Sequence, residues 1–140
     1  MPRPFTTLII AGLMAAALQA APAAADDASD AEAVIASQLQ AFRAGDGAAA
    51  YSHAAPNITR MFPTADVFMG MVETGYGPVL RSSNAVFGEL TPTSTGFRQE
   101  VFLTDSNGQS WIASYTLQRQ PDGSMKITGC SLRKGEDLAA

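Results

Sequence analysis

Two residues with broad chemical range occur once each in this chain of 140 residues, His53 and Cys130. An imidazole titrates near neutral pH and can act as a general base or a metal ligand. Tyr51 lies two residues before His53 and Asp46 seven before it, which puts the carboxylate out of direct reach along a helix. A metal ion would need further ligands from distant parts of the chain. We interpret His53 as a surface or helix-end residue, with a polar group in a pocket as the alternative, and predict no catalytic residue and no metal ligand.

Cys130 lies in the segment KITGCSL, which has the composition of a strand. A single cysteine forms no disulfide within its own chain, so core packing must hold the domain together. We interpret Cys130 as a small buried apolar residue. A reactive thiol and a bridge to another molecule remain open.

Other chemistry-bearing motifs are weak. The segment DSNG at 105–108 resembles the start of a calcium loop but lacks the later acidic ligands, so a hairpin turn explains it better. The chain has no glycine-rich phosphate loop, no serine nucleophile elbow and no paired carboxylates. Asp46 and Asp66 stand where helix capping or the first helical turn accounts for them. We therefore expect no cofactor.

The first part of the chain has the spacing of helices. A helix is predicted over 29–46, with Ser29 and Glu32 as a capping box and one apolar stripe, formed by Ala31, Ile35, Leu39 and Phe42. A short helix follows over 47–55, capped by Asp46 and limited by Pro56. A third begins after Thr64 and is broken at 75–78 by GYGP.

The second part of the chain has the period of strands. Four are predicted, at 84–93, 96–105, 110–120 and 124–134, and the last three form a meander. Asn107-Gly108 and Pro121-Asp122-Gly123 provide its two turns. In the third strand one face carries Trp111, Ala113, Tyr115 and Leu117. Trp111 and Tyr115 are expected to be buried against Leu39, Phe42 and Phe68.

Helices followed by antiparallel strands define an α+β domain. Because the aromatic face of the sheet needs cover, we expect the helices to pack in the concavity of a curved antiparallel sheet of about four strands. Residues 26–140 are predicted to form this one domain, with an ordered core at about 29–133 and a loose tail.

Residues 1–25 have the pattern of a secretory signal peptide. Arg3 is followed by an uncharged apolar run over 8–20, shorter than the roughly 20 residues of a membrane span, and then by small residues at Ala23 and Ala25. Cleavage after Ala25 would place the domain in the periplasm or outside the cell. The remainder has eight basic and 13 acidic residues and no spanning stretch. We therefore predict no nucleic-acid partner and no membrane span after cleavage.

Three segments carry a family resemblance, at 41–58, 68–90 and 105–132. The chain resembles a family of small exported proteobacterial proteins catalogued as a domain of unknown function. Its helix–Gly-Asp–helix opening also resembles the nuclear-transport-factor-two-like, or SnoaL-like, superfamily. That resemblance implies a cone with a pocket at its wide end, and it brings no catalytic residues. The superfamily contains isomerases, dehydratases and binding modules, so the fold alone selects no function.

These observations predict a pocket in the cone that binds an apolar small molecule or a protein partner without catalysis. Five side chains are the candidates for its lining: Tyr51, Phe68, Tyr76, Trp111 and Tyr115. A proton-transfer enzyme of isomerase or dehydratase type is the alternative, and it would need an inward Asp, Glu or His. A dimerisation scaffold is the second alternative, for which Phe102 and Ile112 would supply an apolar outer face and which would make the protein a homodimer.

Overall fold

A computed structural model of the protein describes Pro4 and residues 23–135. In this part of the chain five helices precede four strands: α1 Ala23–Arg43, α2 Gly47–Ser52, α3 Pro56–Met61, α4 Ala65–Gly75, α5 Gly77–Leu80, β1 Asn84–Pro92, β2 Phe97–Thr104, β3 Ser110–Arg119 and β4 Met125–Lys134. The strands form an antiparallel meander in the order β1-β2-β3-β4. The predicted α+β class and the four predicted strands are confirmed. The predicted signal peptide lies outside the described residues apart from Pro4 and 23–25, and its cleavage stays a prediction.

The prediction that α1 begins at Ser29 is wrong, because the helix begins at Ala23 and Ser29 lies inside it. The residues before Ser29 are mostly alanine, the best helix former, and Asp26 in the first turn suits the helix dipole. Farther along, Arg119 of β3 donates to Asp27 Oδ1 at 2.5 Å and to Asp30 Oδ2 at 2.8 Å. These ion pairs hold the first turns of α1 against the sheet.

The predicted caps of α2 and α4 are confirmed. Asp46 Oδ1 accepts a hydrogen bond from the backbone N–H of Ala49 at 3.0 Å, and Thr64 Oγ1 accepts one from Val67 at 3.2 Å. Two short helices, α3 and α5, lie where the sequence predicted a break. Pro56 and Pro78 both fall in the first turn of a helix, where the missing N–H of proline costs nothing.

Both predicted turns of the meander are confirmed. Gly108 and Gly123 have φ of +80° and +88°, a conformation that glycine adopts without strain. Asp105 Oδ1 accepts hydrogen bonds from the N–H groups of Asn107 and Gln109, both at 2.9 Å. This carboxylate is thus used by the turn, as expected for a hairpin.

The helices cover one face of the curved sheet and form the core with it. Helix α1 packs on β4, α5 on β2 and α3 on β4, while α2 lies between α1 and α4. The core combines Ile35 and Leu39 of α1 with Val101, Leu103, Tyr115 and Leu117 of the sheet, all buried. On the opposite face Ile112 is also buried, with 5% exposure, and Val86 is 53% exposed.

A bulge interrupts β4 beside the helices. Thr116 of β3 pairs with Gly129, but Leu117 pairs with Ile127, which leaves Thr128 as an extra residue. The chain between α2 and α3 adds to the sheet at this point. Ile127 donates to the carbonyl oxygen of His53 at 2.9 Å and accepts from the N–H of Ala55 at 2.8 Å. The connection between α2 and α3 is thereby held against the bulged part of β4.

Candidate functional site

A cavity of about 320 Å³ lies between α3, α4 and the bulged part of β4. Its walls are mainly apolar, and the side chains that form them are Ala54, Ile58, Met61, Phe62, Phe68, Met71, Val72, Val79 and Ile127. Met61 is 65% exposed and lies at the mouth. Pockets for small molecules generally have volumes of about 300–1,000 Å³ and this apolar character.

The predicted lining residues are divided by the structure. Phe68, Tyr76 and Tyr115 line the cavity together. Tyr51 lies behind the wall, where its ring is 5.4 Å from that of Phe68 and its hydroxyl donates to the carbonyl oxygen of Phe62 at 2.6 Å. Tyr51 therefore supports the wall rather than forming it.

Trp111 lies away from the cavity, near the β2–β3 turn. Its indole N–H donates to Asp105 Oδ2 at 2.9 Å, and this hydrogen bond is the main cause that lowers the pKa of Asp105. The indole is half-buried on the core side of the sheet, whereas Tyr115 on the same strand is fully buried. Trp111 thus holds the turn against the sheet and does not line the cavity.

His53 is the C-cap of α2. Its backbone joins the edge of β4, but its half-buried side chain is outside the cavity lining, which is formed instead by the next residue, Ala54. Burial, followed by the nearby Lys126 ammonium, lowers the pKa of His53. The imidazole is therefore mostly neutral at neutral pH, and its place agrees with the predicted helix-end role.

Cys130 lines the cavity and has no disulfide partner among the described residues. It lies opposite Tyr115 in the sheet, so that both side chains point to the helical face. Burial raises the pKa of the Cys130 thiol to about 12. Because the thiolate is the nucleophilic form, this raised pKa disfavours reaction of the thiol at neutral pH.

The polar groups of the lining are few and neutral. Tyr76 donates to the carbonyl oxygen of Cys130 at 3.0 Å, and Asn57 donates to that of Thr128 at 2.9 Å. Burial raises the pKa values of Tyr76 and Tyr115, so both hydroxyls stay protonated. Among the lining residues that the structure describes, none carries a carboxylate, an imidazole or a cationic side chain.

The sequence reasoning missed Gln38 and the whole of α3 as parts of this site. Gln38 lies on α1 between Ile35 and Leu39, is 4% exposed and faces the cavity. A glutamine at that position interrupts the apolar stripe of the helix, and this polar residue in a buried stripe was the available signal. Helix α3 has no comparable signal, because a proline such as Pro56 is compatible both with the end of one helix and with the start of the next.

Within residues 23–135, no cluster of three or more His, Cys, Asp or Glu side chains has a geometry that would hold a metal ion. In the same part of the chain, no helix has both the length and the apolar character required to cross a bilayer.

The fold and the site define a small α+β domain with a half-open apolar cavity between its helices and an edge strand. The chain belongs to the family described as "Domain of unknown function (DUF4864)", whose model matches residues 24–140. No curated protein and no solved structure matches the chain.

Proposed function

We propose that this protein binds an apolar small molecule in the cavity between α3, α4 and β4, and that it does so as an exported, non-catalytic module. The observation that carries the proposal is the cavity itself, with a volume of about 320 Å³ and walls of Met, Phe, Ile and Val side chains. Burial of apolar ligand surface against such walls contributes about 25 cal/mol per Å². Methionines such as Met61 and Met71 adapt their shape to different ligands.

The protonation states in the cavity support binding rather than turnover. General acid–base catalysis works best with a group whose pKa lies near the operating pH. The hydroxyls of Tyr76 and Tyr115 have raised pKa values, and the thiol of Cys130 has a pKa of about 12. These groups donate hydrogen bonds at neutral pH without exchanging protons readily with a substrate.

Two further parts of the proposal rest on other evidence. Export rests on the sequence of residues 1–25, with its short apolar run and the small residues at Ala23 and Ala25. Placement in the nuclear-transport-factor-two-like superfamily rests on the opening sequence pattern and is supported by the helices in the concavity of a curved antiparallel sheet.

A cavity-filling substitution tests the proposed function. Met71 is a half-buried lining residue of α4, and Met71→Trp should occupy the space that a ligand needs. The probe is N-phenyl-1-naphthylamine, a neutral dye whose fluorescence rises in apolar surroundings. Wild-type protein should bind it, and Met71→Trp should lower the affinity at least about tenfold by steric exclusion.

The matched control is Val67→Trp, on the same helix. Val67 is 50% exposed and outside the lining, so this variant should bind the dye as wild type does. Undiminished binding by Met71→Trp, or equal losses in both variants, would show that the dye does not occupy the cavity. Absence of binding by the wild type would contradict the proposal directly.

A further inference from the structure

Two polar side chains of the cavity lining are almost completely buried, Gln38 of α1 and Tyr115 of β3. They are 4% and 1% exposed. The Gln38 side chain donates through Nε2 to the carbonyl oxygen of Ala50 at 3.3 Å, which fixes its orientation. Its Oε1 atom then faces the hydroxyl of Tyr115 at a distance of 3.5 Å.

The contact between these two oxygens is long for a hydrogen bond and is therefore weak. Hydrogen bonds between a hydroxyl and an oxygen are usually about 2.7–2.8 Å long. The Tyr115 hydroxyl therefore has a donor that is weakly used, and Gln38 Oε1 has free acceptor capacity. Polar groups left in this state inside a protein cost free energy, and a ligand that pairs with them recovers it.

We propose that the ligand is a neutral apolar alcohol or phenol whose hydroxyl group binds between Tyr115 and Gln38; this inference rests on the proposed function. A ligand hydroxyl accepts a hydrogen bond from Tyr115 and donates one to Gln38 Oε1. An oxygen about 2.8 Å from each atom completes a triangle with their 3.5 Å separation. A ketone or an ether only accepts hydrogen bonds, so it would leave Gln38 Oε1 unsatisfied.

The charge of the lining restricts the ligand further. No cationic side chain is among the described lining residues, so a buried carboxylate or phosphate would lack a counter-charge. Transfer of an ion from water into such a site is strongly unfavourable. A neutral hydroxyl group has the hydrogen-bonding capacity that the site requires without this penalty.

Three compounds of similar shape test the assignment by displacement of N-phenyl-1-naphthylamine. They are 2-naphthol, 2-methylnaphthalene and 2-methoxynaphthalene. Wild-type protein should bind 2-naphthol about tenfold more tightly than 2-methylnaphthalene, because it gains two hydrogen bonds. The methoxy compound, which only accepts, should bind with intermediate affinity.

The variant Tyr115→Phe should remove most of the preference for 2-naphthol over 2-methylnaphthalene, because it removes one of the two hydrogen bonds. Tyr51→Phe is the control, because Tyr51 is not among the lining residues and its hydroxyl donates to a backbone carbonyl oxygen, that of Phe62, behind the wall. Equal wild-type affinities for the three compounds would overturn the hydroxyl assignment and leave the proposed function intact. A preference that survives Tyr115→Phe would overturn the role of Tyr115. Failure of all three compounds to displace the bound dye would overturn the hydroxyl assignment, whereas absence of dye binding to the wild type would overturn both proposals. These wild-type measurements require no variant to fold.

Discussion

The main chain and the side chain of His53 have different roles in the structure. Its backbone carbonyl is bonded to Ile127, and its C-cap position ends α2, so the main chain of this residue has a structural role. Its side chain has no such role, since it lies outside the cavity and beside a lysine. A substitution should therefore be tolerated, with a change in the free energy of unfolding within about 0.5 kcal/mol at neutral pH.

The pH dependence of stability tests this description of His53. Burial and Lys126 lower its pKa below the ordinary value of 6.5, so the unfolded chain binds more protons at this site than the folded chain. The stability contribution of His53 is present above pH 6.5 and is lost as the pH falls through that value towards the folded pKa. Wild type should therefore lose stability relative to His53→Gln when urea unfolding is compared between about pH 8 and pH 5. A relative gain on acidification would mean that the pKa is raised.

The residues of the site differ in how far the sequence predicts them. Phe68 and Tyr115 are large side chains on periodic elements, so their inward direction follows from the period, whereas Tyr76 is the C-cap of α4 and its direction does not. Trp111 lies on the same face of β3 as Tyr115, but at the start of the strand. There its indole N–H donates to the carboxylate of Asp105 in the β2–β3 turn. Such a contact depends on the position of a neighbouring loop, which local spacing does not determine.

In strand β4, the alternation of inward and outward side chains shifts within the strand, and this shift is visible in the sequence. Met125 and Ile127 point inward, but the next inward residues are Cys130 and Leu132, so the alternation shifts by one residue. The shift is the bulge at Thr128, and it brings Cys130 into the cavity. Strict alternation from Met125 would put Gly129 and Ser131 there instead. An apolar pattern that changes phase within a strand is thus a usable sign of a bulge.

Two glycines on different elements should respond oppositely to alanine. Gly70 is exposed on α4, and a Cβ atom there would meet nothing within 4 Å. Gly70→Ala should stabilise the protein by about 0.5–1 kcal/mol, because alanine loses less backbone freedom in a helix. Thermal or urea unfolding of the variant measures this gain.

Gly96, just before β2, provides the contrast. A Cβ atom at this position would lie 2.1 Å from the carbonyl oxygen of Leu117, so the neighbouring strand would have to move. Gly96→Ala should destabilise the protein by about 1–3 kcal/mol in the same unfolding experiment. Equal effects of the two substitutions would mean that β2 and β3 are not packed this closely.

At the level of elements, the sequence predicts those with a clear period or cap. Asp46 and Thr64 mark the starts of α2 and α4, and the glycine turns separate the strands. Helices α3 and α5 are not predicted from the sequence, because a proline can mark the end of one helix or lie in the first turn of the next. The start of α1 at Ala23 is not predicted for a different reason: alanine-rich segments occur both in leader peptides and in helices.

For the whole molecule, export is the prediction with the widest consequence. Cleavage after Ala25 should leave a chain that begins at Asp26, and the intact mass of protein recovered from the periplasm should lack the first 25 residues. Ala25→Gln should retard this cleavage, because the position before the cut requires a small side chain. Full-length wild-type chain found in the cytoplasm would contradict the prediction.

The meander order of the sheet has a consequence for the sequence of folding events. Hairpins β1–β2, β2–β3 and β3–β4 join neighbours in the chain, so each closes only a short loop and forms early. The walls of the cavity, in contrast, join parts of the chain far apart, as in the bond between Asn57 and Thr128 across 71 positions. Closure of such a long loop is slow and requires β4 to be in place. We therefore expect the cavity to assemble last, and a chain that lacks β4 should form the first two hairpins without the cavity.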